Sequence, residues 1–235
     1  MITVFQAAVL GLLQGAFELF PVSSLGHGVI FPALFGWNIH ENDKSFLIFL
    51  VATHLATALV LIGFFWSTWV GVVAGIFRSL RLRQIKADDI EAKLGWLLVV
   101  GTVPAGILGL LFQDNIRAIF ITARSAAFFL ILNGFMLLGA EALRRRAKNT
   151  TAGTIHTRIA KLSWWQSARI GTVQALALIP GFSRSGSSMA GSLLAGLSNE
   201  DAAHFSFLLA TPLILAAGVL KLPELFQQQN HDLIL

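Results

Sequence analysis

An all-α polytopic membrane protein, built as an inverted repeat around two re-entrant helix–loop–helix hairpins that meet near the midplane, is the fold this sequence predicts. Three observations carry that expectation. Hydrophobic residues make up 55% of the 235-residue chain and charged residues 12%, where soluble domains average about 25% charged. The apolar residues cluster into runs close to the roughly 20 residues a bilayer crossing needs. Two further runs are broken at their centres by proline, glycine and hydroxyl residues, and non-helical backbone at membrane depth is tolerated only where protein or a wet cavity receives it.

The first broken run is Ile2 to Phe35, interrupted at Pro21 to Gly28. It has no basic leader and carries Gln14 and Glu18 where a signal peptide is uniformly oily, so it is expected to be retained as part of the fold. Full spans follow at Phe46 to Trp66, Leu94 to Phe112, about Ser125 to Leu143, and Ala203 to Leu222, with the second broken run, Trp164 to Leu197, interrupted at Pro180 to Gly186. One membrane domain, residues 1–235, accounts for the chain. Between the spans, Arg78, Arg81, Arg83, Lys86 and Lys93 fall in one loop and Arg144, Arg145, Arg146, Lys148, Arg158 and Lys161 in another. Those two loops hold 11 of the 17 basic residues, which places both in the cytoplasm and the Gly36 to Ser45 segment outside. The first hairpin then enters from the outer face and the second from the cytoplasm.

An internal echo supports the inversion. Gly11-Leu-Leu-Gln14 matches Gly171-Thr-Val-Gln174, Pro21 followed by Ser24 matches Pro180 followed by Ser183, and Phe49-Leu-Val-Ala-Thr-His-Leu55 matches Phe207-Leu-Leu-Ala-Thr-Pro-Leu213. Three spans separate the hairpins, an odd number, so the copies run in opposite senses across the bilayer. Repeat 1 covers about residues 2–143 and a partial repeat 2 about 164–235, about two spans short of a full second copy. Interrupted helices of inverted repeats are a common way of building a polar binding site in lipid.

Composition excludes several function classes. Without cysteine there is no disulfide, iron–sulfur or thiolate zinc site. The formal charge of +5 belongs to the short basic loops rather than to a nucleic-acid surface, so nucleic acid is excluded as a partner.

The chemistry gathers at the two breaks. Gln14 and Glu18, four residues apart, share one face of the incoming half-helix. Ser23, Ser24 and His27 follow Pro21, at the loop or the first turn of the next half-helix, where free backbone N–H groups favour an anion. In the second break Arg184 is the lone charge between Arg169 and Glu200, surrounded by Ser183, Ser185, Ser187 and Ser188. A guanidinium in so apolar a stretch needs a carboxylate or a phosphate to accept its forked hydrogen bonds. Hydroxyls, N–H groups and one arginine make a phosphate cradle, and the other tip adds a base, an acid and a nucleophile.

Those residues resemble a known family. Gln14-Gly-Ala-Phe-Glu18 with Pro21-Val-Ser-Ser-Leu-Gly-His27, followed by Pro180-Gly-Phe-Ser-Arg-Ser-Gly186, is similar to the (Glu/Gln)-x-x-x-Glu and Pro-Gly-x-Ser-Arg-Ser signatures of the undecaprenyl-diphosphate phosphatases linked to bacitracin resistance. The likeness runs from the N-terminus to about Leu222. It departs at Leu25, where the family commonly has threonine, and at Gln14, the less acidic option. The resemblance implies hydrolysis of a C55 polyprenyl diphosphate to the monophosphate carrier lipid at the outer face of a bacterial inner membrane, with a divalent cation, Mg2+ or Ca2+. It assigns Gln14 and Glu18 to the metal or water, Ser24 or His27 to attack or proton transfer, and Arg184 to the diphosphate, with Ser23, Ser183, Ser185 and Ser187 as substrate-binding hydroxyls. The lipid substrate and the bilayer are the implied partners, with a homodimer admitted. The rival reading is a carrier that moves a polyprenyl phosphate or another anionic lipid between leaflets.

Other polar and small residues have plainer expectations. His54 is assigned to a packing face or the cavity wall. Gly11 with Gly15 and Gly71 with Gly75 are read as close-packing pairs between helices, and Arg144 to Arg146 as a topology signal beside anionic headgroups.

Overall fold

The structure, a computed structural model, describes residues 2–39, 44–120, 122–145 and 153–227, and every regular element among them is helical. The order is α1 Val4–Leu19, α2 Ser24–Leu34, α3 Lys44–Phe64, α4 Trp66–Leu82, α5 Ile90–Phe120, α6 Ala123–Arg145, α7 Ile155–Ile159, α8 Trp164–Gln174, α9 Arg184–Leu194 and α10 Asn199–Gln227. A single 3-10 turn, Ala175–Leu178, follows α8. The stretches Ile90–Phe112, Ala123–Arg145 and Asn199–Leu220 are long and apolar enough to cross a membrane, and exposed Phe, Leu, Ile and Val side chains cover their outer surfaces. The protein is a multi-pass membrane protein.

Both expected hairpins are present, and the same devices build them. Each opens on a capping box, Thr3 with Gln6 on α1 and Ser163 with Gln166 on α8, which satisfies two of the free N–H groups that a helix start leaves. Each breaks at a proline and restarts on a serine N-cap, Ser23 for α2 and Ser183 for α9. In each the chain returns to the end from which it came. Phe5 of α1 meets Trp37 beyond α2 edge to face, and Gln166 Nε2 of α8 donates to the Ala195 carbonyl that follows α9.

The two hairpins open at opposite ends of the bundle. The first closes over the start of α3, where Leu10, Phe46 and Leu50 pack with Trp37 and Ile39 around them. α3 runs antiparallel to α10, with Leu55 against Gly218 and Phe65 against His204 and Phe207. The base of the second hairpin lies at the start of α10, at the other end of α3, beside the Arg158–Asp201 ion pair. The main core fills the space between α4, α5, α8, α9 and α10 with Leu94, Leu97, Ile170, Phe205, Leu208 and Leu209.

Three expectations are corrected. The residues after Trp66, read as a basic loop, form helix α4, which bends 84° from α3 at Phe65. Its inner face of Thr68, Val72, Gly75 and Ser79 is too small and polar to register as an apolar run, yet it suits a close crossing. A Cβ on Gly75 would stand 2.5 Å from the Ala92 nitrogen of α5. The first break is shorter than Pro21 to Gly28, because α2 begins at Ser24 and holds Gly26, Gly28 and even Pro32 within it. Gly71 and Gly75 pack tightly as expected, but Gly11 and Gly15 have nothing within 4 Å of a Cβ position, so they serve no close helix contact among the described residues. Arg146 and Lys148 of the second basic loop lie outside the described residues.

Candidate active site

The two tips touch. Gly26 of the first packs against Gly181 of the second, with 3.2 Å between an added Cβ and the Gly181 Cα. Gly181 has φ +106°, a conformation that favours glycine, and a Cβ there would strike the Ala126 carbonyl of α6. Ser185 Oγ donates to the Phe20 carbonyl (3.1 Å). Asn133 of α6 joins both tips: its Nδ2 donates to the Pro21 carbonyl (3.0 Å) and its Oδ1 accepts from the Ser183 N–H (3.1 Å). Asn133 is 1% exposed, and nothing in the sequence pattern says which groups it bonds. It lies near the middle of α6, so the tips meet at mid-height of a helix long enough to span.

Glu18 is the hub of the site. Its side chain is 6% exposed, and both of its oxygens have polar partners. Oε1 accepts from Arg184 Nη2. Oε2 accepts from Gln14 Nε2 (2.8 Å) and from Ser24 Oγ (2.9 Å). His54 Nε2 lies 3.5 Å from the same oxygen. The second arm of Arg184 is fixed by the Ala210 carbonyl of α10 (2.8 Å), so the guanidinium is held between two acceptors. A lone buried charge of either sign would be costly, and here each neutralises the other.

The serines divide into two sets. Ser23 Oγ accepts from Gly26 N–H and Ser183 Oγ from Gly186 N–H, both at 3.0 Å, as N-caps. Ser183 also pairs with Ser185 (3.1 Å). These residues, with Ser24, Glu18, His54 and Arg184, line one cavity of about 550 Å3. Ser187 and Ser188 do not line it. Ser187 Oγ is buried without a partner among the described residues, and Ser188 is bonded to Ser206 (2.6 Å). His27 is likewise outside the cavity wall: its Nδ1 bonds the Ser23 carbonyl (2.7 Å) and its ring stacks on Phe17 at 4.2 Å.

Away from this polar pole the cavity is apolar, walled by Ile48 and Val51 of α3, Gly106 and Leu110 of α5, and Leu213 and Ile214 of α10. Gln174 is the exception. It is 1% exposed, lines the cavity, and neither its Oε1 nor its Nε2 has a partner among the described residues. The echo of Gln14 by Gln174 was visible in sequence, but its place in the cavity wall was not.

A divalent cation fits this donor set in one way. Among the described residues no three His, Asp or Glu side chains converge as a metal cage. Among those residues Glu18 is the one carboxylate in the cavity wall, and Gln14 Oε1 is a buried oxygen with no hydrogen-bond partner among them. One carboxylate and one amide oxygen suit an ion that the phosphates of a ligand would largely coordinate.

The chain matches the family model described as bacitracin resistance protein BacA over residues 7–235. It is 47% identical over 240 residues to a protein of Mycolicibacterium paratuberculosis named undecaprenyl-diphosphatase, an overlap covering 94% of this chain and 78% of that one. It is 47% identical over 223 residues to undecaprenyl-diphosphatase 2 of Burkholderia thailandensis, covering 94% and 76%, and 41% identical over 225 residues to undecaprenyl-diphosphatase 2 of Chromobacterium violaceum, covering 96% and 78%. By the extent of these matches, and with both signature motifs converging on one cavity, the chain belongs to the BacA bacitracin resistance protein family.

Proposed function

We propose that this protein hydrolyses undecaprenyl diphosphate to undecaprenyl phosphate and phosphate, in the inner membrane of a bacterium, recycling the carrier lipid of cell-wall synthesis. One observation carries the reading: Glu18 from one tip meets Arg184 from the other at the polar pole of a single cavity whose remaining walls are apolar. The apolar walls suit the first isoprene units of a prenyl chain, and the pole suits its diphosphate.

In the unliganded arrangement Arg184 is paired with Glu18. A diphosphate offers the guanidinium a stronger, bidentate acceptor, leaving Glu18 to take the Ser24 proton. Ser24 Oγ already donates to Glu18 Oε2, the geometry of a nucleophile with its base. Between Ser24 and His27, the hydroxyl is the one on the cavity wall, and it is our choice for attack on phosphorus. Ser23, Ser183 and Ser185 hold phosphoryl oxygens beside the α2 and α9 N-termini, where free N–H groups favour an anion. His27, stacked on Phe17 behind Ser23, positions the first tip. Gln14 and Glu18 would hold a Mg2+ or Ca2+ ion, which when bound neutralises phosphate charge.

The orientation agrees with hydrolysis at the outer face. The cavity-lining residues of α5, Ala105 to Leu110, stand about 22–30 Å along the helix from its start beside the basic loop. The cavity therefore occupies the half of the bundle remote from the basic segments. The test is phosphate release from undecaprenyl or farnesyl diphosphate by purified protein in liposomes. Release is expected, and a chelator is expected to lower it at least about tenfold until Mg2+ or Ca2+ is restored. Movement of lipid between leaflets with no phosphate released would overturn the reading.

A further inference from the structure

We propose that the prenyl chain of the substrate passes from the cavity into the bilayer through a lateral portal between α5 and α10, and that Gly106, on the α5 side, decides how bulky a chain it admits. The inference rests on the hydrolase reading above and deepens it, by placing the part of the substrate that the polar pole does not hold. A cavity of about 550 Å3 is of the size that encloses one drug-sized molecule. A C55 tail is far larger, so most of it has to leave along an apolar path.

The geometry supplies such a path. α5 and α10 touch at Gly101, where an added Cβ would stand 2.9 Å from Leu209 Cδ1. About one turn further on, from Ala105 on α5 and Leu213 on α10, both helices line the cavity instead. At their far ends the wall residues are also outer-surface residues. Leu110 is 66% exposed and Leu220 57%, and Ala216 and Ala217 are exposed beside them. A side chain that lines a cavity and is also more than half exposed marks an opening. Leu110 stands about 14 Å along α5 from Gly101, and Leu220 about 16 Å along α10 from Leu209, so the gap begins beyond the helix contact and reaches the remote ends of both helices. Every cavity-wall residue on these two stretches is apolar or glycine, and Ile107, Leu111 and Val219 continue the apolar surface outside, which suits lipid rather than water. The flanking seams are filled: Leu55 of α3 lies 3.1 Å from a Cβ on Gly218, and Leu178, beyond α8, lies 3.7 Å from one on Gly109.

Gly106 lies on this path. It shares one face of α5 with Gly109 and Leu110, three and four residues on, and all three line the cavity. A Cβ on Gly106 would meet nothing within 4 Å, so the space in front of it is open. Gly101 and Gly171 are small for a different reason, since a Cβ on either would strike the neighbouring helix. Gly106 leaves room for a ligand, not for a helix. A large side chain there would stand where a methyl-branched chain has to run, while Glu18, Arg184 and the serines at the polar pole would be untouched.

Gly106→Phe tests the portal, with the protein in liposomes and two probes, undecaprenyl diphosphate and dimethylallyl diphosphate. The second carries a single isoprene unit and has no tail to pass through the seam, and its binding is read as a substrate or as a competitive inhibitor. The expected result is a rise of at least about tenfold in KM for undecaprenyl diphosphate with kcat within about threefold, and less than about threefold change for dimethylallyl diphosphate. Gly139→Phe, on a face of α6 with equal room and no part in the cavity wall, is expected to change neither. Equal rises for both probes overturn the proposal, as does an unchanged KM for undecaprenyl diphosphate, with or without a fall in kcat. Should Gly106→Phe fail to insert or fold, Ala217→Phe, exposed on the α10 side of the seam, is read by the same criteria. Failure of the hydrolase reading looks different, because the wild-type protein itself then releases no phosphate from undecaprenyl diphosphate.

Discussion

Glu18 has two jobs, one structural and one chemical. Removing its charge leaves the buried Arg184 without a counter-ion, with only the Ala210 carbonyl still accepting from it, and breaking such a pair on one side costs about 3–5 kcal/mol. Removing its basicity alone strands the Ser24 proton. Glu18→Gln removes both, and it is therefore expected to lower the unfolding temperature and to lower phosphate release at least about a hundredfold. Thermal unfolding in detergent and a phosphate assay, read on one preparation, check both halves. Arg184→Lys is expected to lose nearly as much activity as Arg184→Ala, because a single ammonium cannot span the Ala210 carbonyl and the Glu18 carboxylate as the fork does. Glu18, Arg184 and Ser24 were legible from the motifs, since charge and hydroxyls in an apolar run stand out locally. His54 was seen as a residue of an apolar span, but nothing within α3 says that Glu18 lies across from it.

Between elements, the close crossings decide stability. α5 and α8 approach so closely that a Cβ on Gly171 would strike the Gly101 carbonyl, and α4 rests on α5 through Gly75. Gly171→Ala and Gly75→Ala are each expected to cost about 1–3 kcal/mol or more through backbone displacement, whereas Gly11→Ala and Gly15→Ala on the open face of α1 should leave the unfolding temperature within a degree or two of wild type, about the shift a few tenths of a kcal/mol produces. Equal losses in both pairs would mean that α1 has a close neighbour after all. Asn133 is a different kind of contact. Asn133→Leu fills similar volume but leaves the Pro21 carbonyl and the Ser183 N–H unpaired, at about 1–3 kcal/mol. Turnover should fall with it although the side chain lines no part of the cavity, because the tips lose their shared anchor. Such a residue is invisible to periodicity: a single buried asparagine in an apolar helix announces that it has partners, not which ones.

At the level of the whole molecule the expectation is one of sidedness. The chain contains no cysteine, so single cysteines introduced at Arg83, in the basic segment after α4, and at Asn38, beyond the first hairpin, can be read without background. A membrane-impermeant thiol reagent is expected to label Arg83→Cys only from the cytoplasmic face and Asn38→Cys only from the outer face. Labelling of both from one side would refute opposite-facing hairpins. Composition, the placing of the basic residues and the prolines that interrupt two apolar runs are local properties, and they were enough to determine a multi-pass helical protein with two broken hairpins. Only the tertiary structure decided that the helix after Trp66 turns aside by 84°, that Asn133 ties the tips together, and that His54 completes the surroundings of Glu18. Each of those facts is a meeting of side chains from helices far apart in the chain, and such meetings are settled by how close the backbones come and which polar atoms would otherwise be buried alone.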